Sequence, residues 1–216
     1  MQREGFAAAA YLQAAFFDGK VPTKKDISMM KKKTMKRGGV QPDFFERKFY
    51  VDVLNGMKLF KGEMGVQVEG CTAIRSMIVG QDARKKAVVK SGVVIIVGEA
   101  LRRFDQEPAL IEAACALLSS LATVRDSHSD MLKTRVYETI IKALKYYSDS
   151  EDEQLQYHGI MALHNLSVGD KAASRALRNA KALEAGVRAR SYFPENEILV
   201  KKANDMTRLI LRGGKF

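Results

Sequence analysis

A chain of 216 residues with 46% hydrophobic residues and only four prolines is long enough to bury a sizeable core, and disorder throughout is excluded. Its 36 Lys and Arg against 25 Asp and Glu leave a net charge of +11, which favours acidic partners: nucleic acid, anionic lipid or acidic protein surfaces. No run reaches the ~20 apolar residues of a membrane-spanning helix, and two cysteines, Cys71 and Cys115, make neither a disulfide framework nor a zinc site.

The charge is unevenly spread. Residues 1–48 carry 11 basic residues against 5 acidic, and the other 168 carry 25 against 20. Residues 3–17 are Ala-rich and predict a helix, ended by Asp18-Gly19. Its apolar side, Phe6, Leu12, Phe16 and Phe17, can cap a first repeat or dock on a partner. It lacks the small-residue cleavage pattern of a secretory signal, and Glu4, Asp18 and Asp26 argue against an organellar transit peptide. Thr23 to Arg37 is a basic arm, with Lys24, Lys25, Lys31, Lys32, Lys33, Lys36 and Arg37 as candidate partner contacts. Such an arm either lies on phosphates or an acidic protein face, or stays solvated. It holds no aromatic residue, which weakens base stacking. Gly38-Gly39 and Pro42 close it, so residues 1–48 read as helix and arm, 49–212 as one domain, and 213–216 as a tail.

Asp43 to Lys61 carries an apolar stripe, Phe44, Phe45, Phe49, Val53, Leu54 and Met57, and reads as an incomplete first unit ahead of a helix at 66–79. The second unit, 81–124, predicts helices at 81–90, 92–103 and 108–123, with Pro108 placed to start the last. The third, 125–168, predicts helices near 127–132, 134–147 and 151–167. The acidic turn Ser148 to Glu153 puts negative charge at the N-terminus of the last of these. The fourth unit, 170–212, reads as a helix from Lys171 to Glu184, a second helix after Gly186, a turn at Pro194 and a last helix from Glu195 to Arg212. Lys201, Lys202, Asn204 and Asp205 make that last helix polar, as a terminal cap requires.

The units share one register. Gly70, Ala114, Gly159 and Ala203 stand 44, 45 and 44 residues apart. Four positions earlier stand Val66, Leu110, Leu155 and Leu199. Three later stand Ala73, Leu117, Ala162 and Met206; four later, Ile74, Leu118, Leu163 and Thr207; seven later, Met77, Leu121, Leu166 and Ile210. These offsets trace one face of a helix. The small residue at its centre lets another helix come close. Four such helices at a near-constant period describe a stack of repeats, each too small to bury its own face.

At this point the chain resembles the armadillo family, with HEAT repeats the near relative. Leu155 to Leu166, LQYHGIMALHNL, is similar to the third helix of that three-helix unit, V-Q-x-x-A-x-x-A-L-x-N-L, and Gly92 sits where the family's Gly precedes the second helix. The resemblance implies an all-α, right-handed α-solenoid of about four repeats. In the family members that carry nuclear cargo, Trp and Asn ladders on the third helices grip an extended basic peptide. Here the Trp column reads Thr72, Ala116, Met161 and Asp205, and the Asn column Ser76, Ser120, Asn165 and Leu209. Without Trp, and on a basic chain, the carrier role is rejected. Ser76, Ser120, Met161 and Asn165 remain candidate partner contacts on the concave face.

No set of residues points to chemistry. His158 and His164 are six apart and on different faces of one helix, His128 lies far off in sequence, and the glycines form no phosphate-binding pattern. The expectation is a non-enzymatic scaffold or adaptor with no cofactor or metal, a structural subunit of a larger protein assembly. The alternative is an RNA-associated subunit of a ribosome-like particle. Cys71 and Cys115 share one column of consecutive repeats and read as packed thiols, which suits a reducing intracellular compartment, the cytoplasm with its cytoskeletal or ciliary structures or an organelle interior.

Overall fold

The computed structural model describes residues 48–149 and 152–213. The N-terminal helix and the basic arm, Lys24 to Arg37 included, lie outside the described residues, as do Phe44 and Phe45. Eleven helices and no strand occur among the described residues. They are α1 Phe49–Leu59, α2 Met64–Ile78, α3 Asp82–Lys90, α4 Val93–Arg103, α5 Pro108–Leu121, α6 Asp126–Lys133, α7 Val136–Tyr146, α8 Glu153–Ser167, α9 Lys171–Asn179, α10 Ala182–Tyr192 and α11 Glu197–Gly213. In sequence these group as α1–α2, α3–α5, α6–α8 and α9–α11, an incomplete unit and three full three-helix repeats of an α-solenoid. The described residues divide into two compact units, one ending at Ala100 and the other beginning at Leu101. Each is described by itself below.

Helix starts follow local chemistry. Pro108 opens α5, where its missing N–H costs nothing. Asp152 accepts the Leu155 N–H at 3.0 Å, so the acidic turn does cap α8; Ser150 and Glu151 within it lie outside the described residues. Asp170 does the same for α9 through Ala173, and Asn196 accepts from Leu199 at the start of α11.

In the first unit α2 packs on α1. Val66, Gly70, Ala73 and Ile74 of α2 and Val53, Leu54 and Met57 of α1 are buried. In the second unit α8 packs on both α5 and α11. Leu110, Ala114, Leu117, Leu118 and Leu121 of α5 are fully buried, as are Leu155, Ala162, Leu163 and Leu166 of α8 and Leu199, Ala203, Met206 and Ile210 of α11. Each large side chain in that set contributes about 1.5–3 kcal/mol of burial. Two positions of the register are only half-buried, Met77 and Thr207, and Thr207 returns its hydroxyl to the Ala203 carbonyl at 2.9 Å. The small column works as expected. A Cβ built on Gly70 would lie 2.6 Å from Cγ and Sδ of Met57, and one on Gly159 would lie 2.6 Å from Cδ2 of Leu144. Helix α1 crosses α2 at Gly70, and α7 crosses α8 at Gly159.

Gln67 and Gln156 occupy the same register position, three before the small residue. Gln67 Nε2 donates to the Met57 and Phe60 carbonyls at 3.0 and 3.1 Å; Gln156 Nε2 donates to those of Leu144 and Tyr147 at 3.0 and 3.1 Å. Both glutamines are buried and satisfy carbonyls left over at the end of the preceding helix.

The turn before each second helix corrects one expectation. Lys48, Gly92, Arg135 and Lys181 immediately precede α1, α4, α7 and α10, and their φ angles are 53, 81, 54 and 61°. Lys181, not Gly186, is therefore the counterpart of Gly92. Gly186 lies inside α10, where a Cβ would come 2.9 Å from Cε of Met206. The single helix expected from Lys171 to Glu184 is broken at Ala180-Lys181. No Gly or Pro marks the break. It arises because α9 buries Ala173, Ser174 and Leu177 while α10 buries Ala182, Ala185, Gly186 and Ala189, and one straight helix cannot seat both faces. A left-handed Lys is strained. Lys181→Gly is expected to raise stability by about 0.5–1 kcal/mol, read as a higher melting temperature, and Gly92→Ala to lower it.

Candidate protein-interaction surface

The candidate contacts sit on third helices because those helices bury one face and leave the other half open. Ser76 is on α2 of the first unit, exposed, its hydroxyl donating to the Ala73 carbonyl at 2.7 Å. The other three are in the second unit, where the packing of α5, α8 and α11 brings their open faces together. Ser120 of α5 is half-buried and donates to the Ala116 carbonyl at 3.2 Å. Met161 and Asn165 of α8 are half-buried one turn apart.

Asn165 has work within the fold. Its Nδ2 donates to the Ser119 carbonyl of α5 at 2.9 Å, and its Oδ1 accepts from Nδ1 of His164 at 3.0 Å. The amide thus ties one repeat to the next, with its side still half open beside Met161.

The same open face carries residues that were not among the candidate contacts. Tyr157 and His158 of α8 meet edge to face with centroids 5.3 Å apart, both half-buried. On α11, Lys201 and Arg208 are exposed, and Arg208 pairs with Asp205 at 2.8 Å. The signal for Tyr157 was its place four residues before Met161, an i,i+4 relation on one helix face. The surface therefore offers an aromatic ring, a thioether, an amide edge and a cationic border, which suits an extended or helical segment of another protein.

His164 is 7% exposed beneath this face. Burial pushes its ring below the ordinary histidine value; the Asn165 bond opposes this and the Lys202 ammonium adds to it. A histidine so depressed stabilises the fold fully above its unfolded value of about 6.5 and loses that contribution as the pH falls below it. The urea midpoint should therefore drop more between pH 7.5 and 5.5 for the wild type than for His164→Gln.

Elsewhere in the second unit a shallow cavity of about 310 Å³ is lined by Glu138, Ile141, Lys142, Lys145 and Ala180. Its lysines are bound to Asp105 and Glu184. Cys71 and Cys115 are buried, and burial pushes the Cys71 thiol up to about 12, so it is a packing group rather than a nucleophile. Among the described residues no group of three or more His, Cys, Asp or Glu is placed to hold a metal, and no helix is long and apolar enough to cross a membrane.

Residues 45–210 match a family described as LRRK2 ARM repeat. No curated protein shows significant similarity to the chain. Among solved structures, the crystal structure of an engineered protein is similar, with a TM-score of 0.68 and 18% identity over 98% of this chain and 88% of that one. That identity carries the fold and nothing further.

Proposed function

This chain belongs to the LRRK2 ARM repeat family, and on that footing we propose that it is a non-enzymatic scaffold or adaptor, a structural subunit of a larger protein assembly. The observation that carries this reading is the shared open face of α5, α8 and α11, where Ser120, Tyr157, Met161 and Asn165 lie half-exposed on a rigidly buried base. A partner segment would cross the three helices there, with Ser76 on α2 serving in the first unit and the basic arm, Lys24 to Arg37, adding contacts to an acidic neighbour. Two buried thiols suit a reducing compartment inside the cell.

The test is size fractionation of a native extract, with and without nuclease, following this chain. The expected result is a particle far larger than the chain that survives nuclease. Migration at the size of the free chain overturns the subunit reading. Release by nuclease replaces it with attachment to RNA.

A further inference from the structure

The last repeat is the most cationic part of the described chain. Residues 170–213 hold ten Lys and Arg against five Asp and Glu, whereas residues 126–169 hold four against seven. Several of the ten are used by the fold. Arg178 donates to the Ile210 and Leu211 carbonyls at 2.6 and 2.8 Å, closing the C-terminal end of α11. Arg188 reaches the Ser148 hydroxyl, Arg190 the Asn204 side chain, and Arg208 pairs with Asp205.

Lys171, Arg175 and Arg212, like Lys181 and Lys201, are exposed, and their side chains make no hydrogen bond or ion pair among the described residues. Lys171 and Arg175 stand one turn apart on α9, which has no acidic residue. The end of α11 lies against α9: a Cβ built on Gly213 would be 2.5 Å from Cβ of Ser174 and 3.8 Å from Cα of Lys171, so the exposed Arg212, one residue earlier, projects from the helix end that stands beside the first turn of α9. Other cations of this unit have found acids, Arg135 with Glu138, Lys142 with Asp105 and Lys145 with Glu184. An unpaired like-charge cluster costs repulsion in the free chain and favours a counter-charge from outside. Beside the Lys171–Arg175 row, on the side of α9 away from α11, stand Ala172, exposed, and Ala176, half-buried.

We propose that Lys171, Arg175 and Arg212 form a docking surface for an acidic, carboxylate-rich segment of a protein partner. The proposal rests on the scaffold reading above and names one class of partner for it. Arginine forks match carboxylates two bonds at a time. A nucleic acid fits the surface less well. From Lys171 to Arg175 the row runs only about 6 Å, and three cations fall short of the roughly six to ten phosphate contacts that give nucleic-acid binding its steep salt dependence. Neither α9 nor α11 has an aromatic residue on which a base could stack.

The test uses the full chain and two labelled probes, a ten-residue glutamate peptide and a ten-nucleotide thymidine strand, followed by fluorescence anisotropy. The peptide should bind the wild type, more weakly as salt rises. The triple variant Lys171→Glu, Arg175→Glu, Arg212→Glu should weaken it by about tenfold or more. The strand should bind wild type and variant within about twofold, through the basic arm. If the triple variant melts early, the pair Arg175→Ala and Arg212→Ala serves instead, with about threefold loss expected. No peptide binding by the wild type, or equal binding by the variants, overturns the proposal. A larger loss for the strand than for the peptide overturns it in favour of nucleic acid. The scaffold reading is judged separately, by whether the wild type enters the nuclease-resistant particle. Entry with no effect of the variants on peptide binding sinks the docking surface alone, and peptide loss with no particle sinks the scaffold reading alone.

Discussion

Asp170→Ala is expected to lower the unfolding free energy by about 2–4 kcal/mol, because one carboxylate serves three partners. Its Oδ1 accepts the Ala173 N–H at 3.0 Å and caps α9. Its Oδ2 lies 3.0 Å from Nδ1 of His128 and 3.4 Å from the Arg125 guanidinium, both from the preceding repeat. The side chain of His128 is only 5% exposed, and its Nε2 is already committed to the Ala122 carbonyl at 3.0 Å. Removing the carboxylate therefore leaves a buried ring nitrogen unsatisfied and a helix uncapped. The cap alone accounts for about 1 kcal/mol, and a buried polar group without a partner for about 1–3. Arg125 keeps its bond to the Gly169 carbonyl at 2.7 Å and is exposed, so its share is small.

Asp170→Asn preserves the capping oxygen and should cost about half as much. Urea unfolding of the three proteins reads this directly. A loss below about 0.5 kcal/mol for the alanine variant would show that the two repeats do not lean on this contact. The acid limb gives a second reading. Burial pushes the Asp170 carboxyl up, but the Ala173 N–H, the His128 ring and the Arg125 charge outweigh it and hold it below the ordinary carboxylate range. A depressed carboxyl contributes fully above its unfolded value near 3.9 and loses that contribution as the pH falls through its folded value. Asp170→Ala should flatten this part of the stability curve.

Gly159→Ala should also destabilise, by about 1–3 kcal/mol, although Ala is the better helix former by about 1 kcal/mol. The new methyl would fall 2.6 Å from Cδ2 and 3.0 Å from Cγ of Leu144, a branched and fully buried side chain. Either the Leu144 side chain leaves its rotamer or α7 shifts on α8, and both cost packing in a buried site. Gly70→Ala poses the same geometric problem against Met57, an unbranched thioether with more rotamers to retreat into, and should cost less. The cleanest check is a double-mutant cycle. Leu144→Ala alone removes core volume and should cost about 2–5 kcal/mol. Combined with Gly159→Ala, the total should fall short of the sum, because the methyl then enters the space the leucine vacated. Strict additivity would mean that the two residues do not compete for that space.

The repeat architecture is legible in the sequence. Helical periodicity is a local property, and the buried stripe Leu155, Gly159, Ala162, Leu163 and Leu166 repeats its neighbours' spacing without reference to how the repeats stack. Helix ends were legible to within about two residues wherever a Pro, Asp or Gly set them by local chemistry, as at Pro108, Asp152 and Gly92. The columns named Met161 and Asn165 as candidate contacts, and both stand half-buried one turn apart; Tyr157, one turn earlier on that helix, was not among them.

Tertiary structure decided the rest. Lys181 takes a left-handed turn that no local signal requires, because α9 and α10 bury different faces. Asn165 reaches the Ser119 carbonyl 46 residues away, His128 reaches Asp170 42 residues away, and Gln156 reaches back to Leu144 and Tyr147. A composition or a period names a polar residue but not its partner. The partner is set by the distance between packed backbones, and that distance exists only once the helices have closed on the small residues between them.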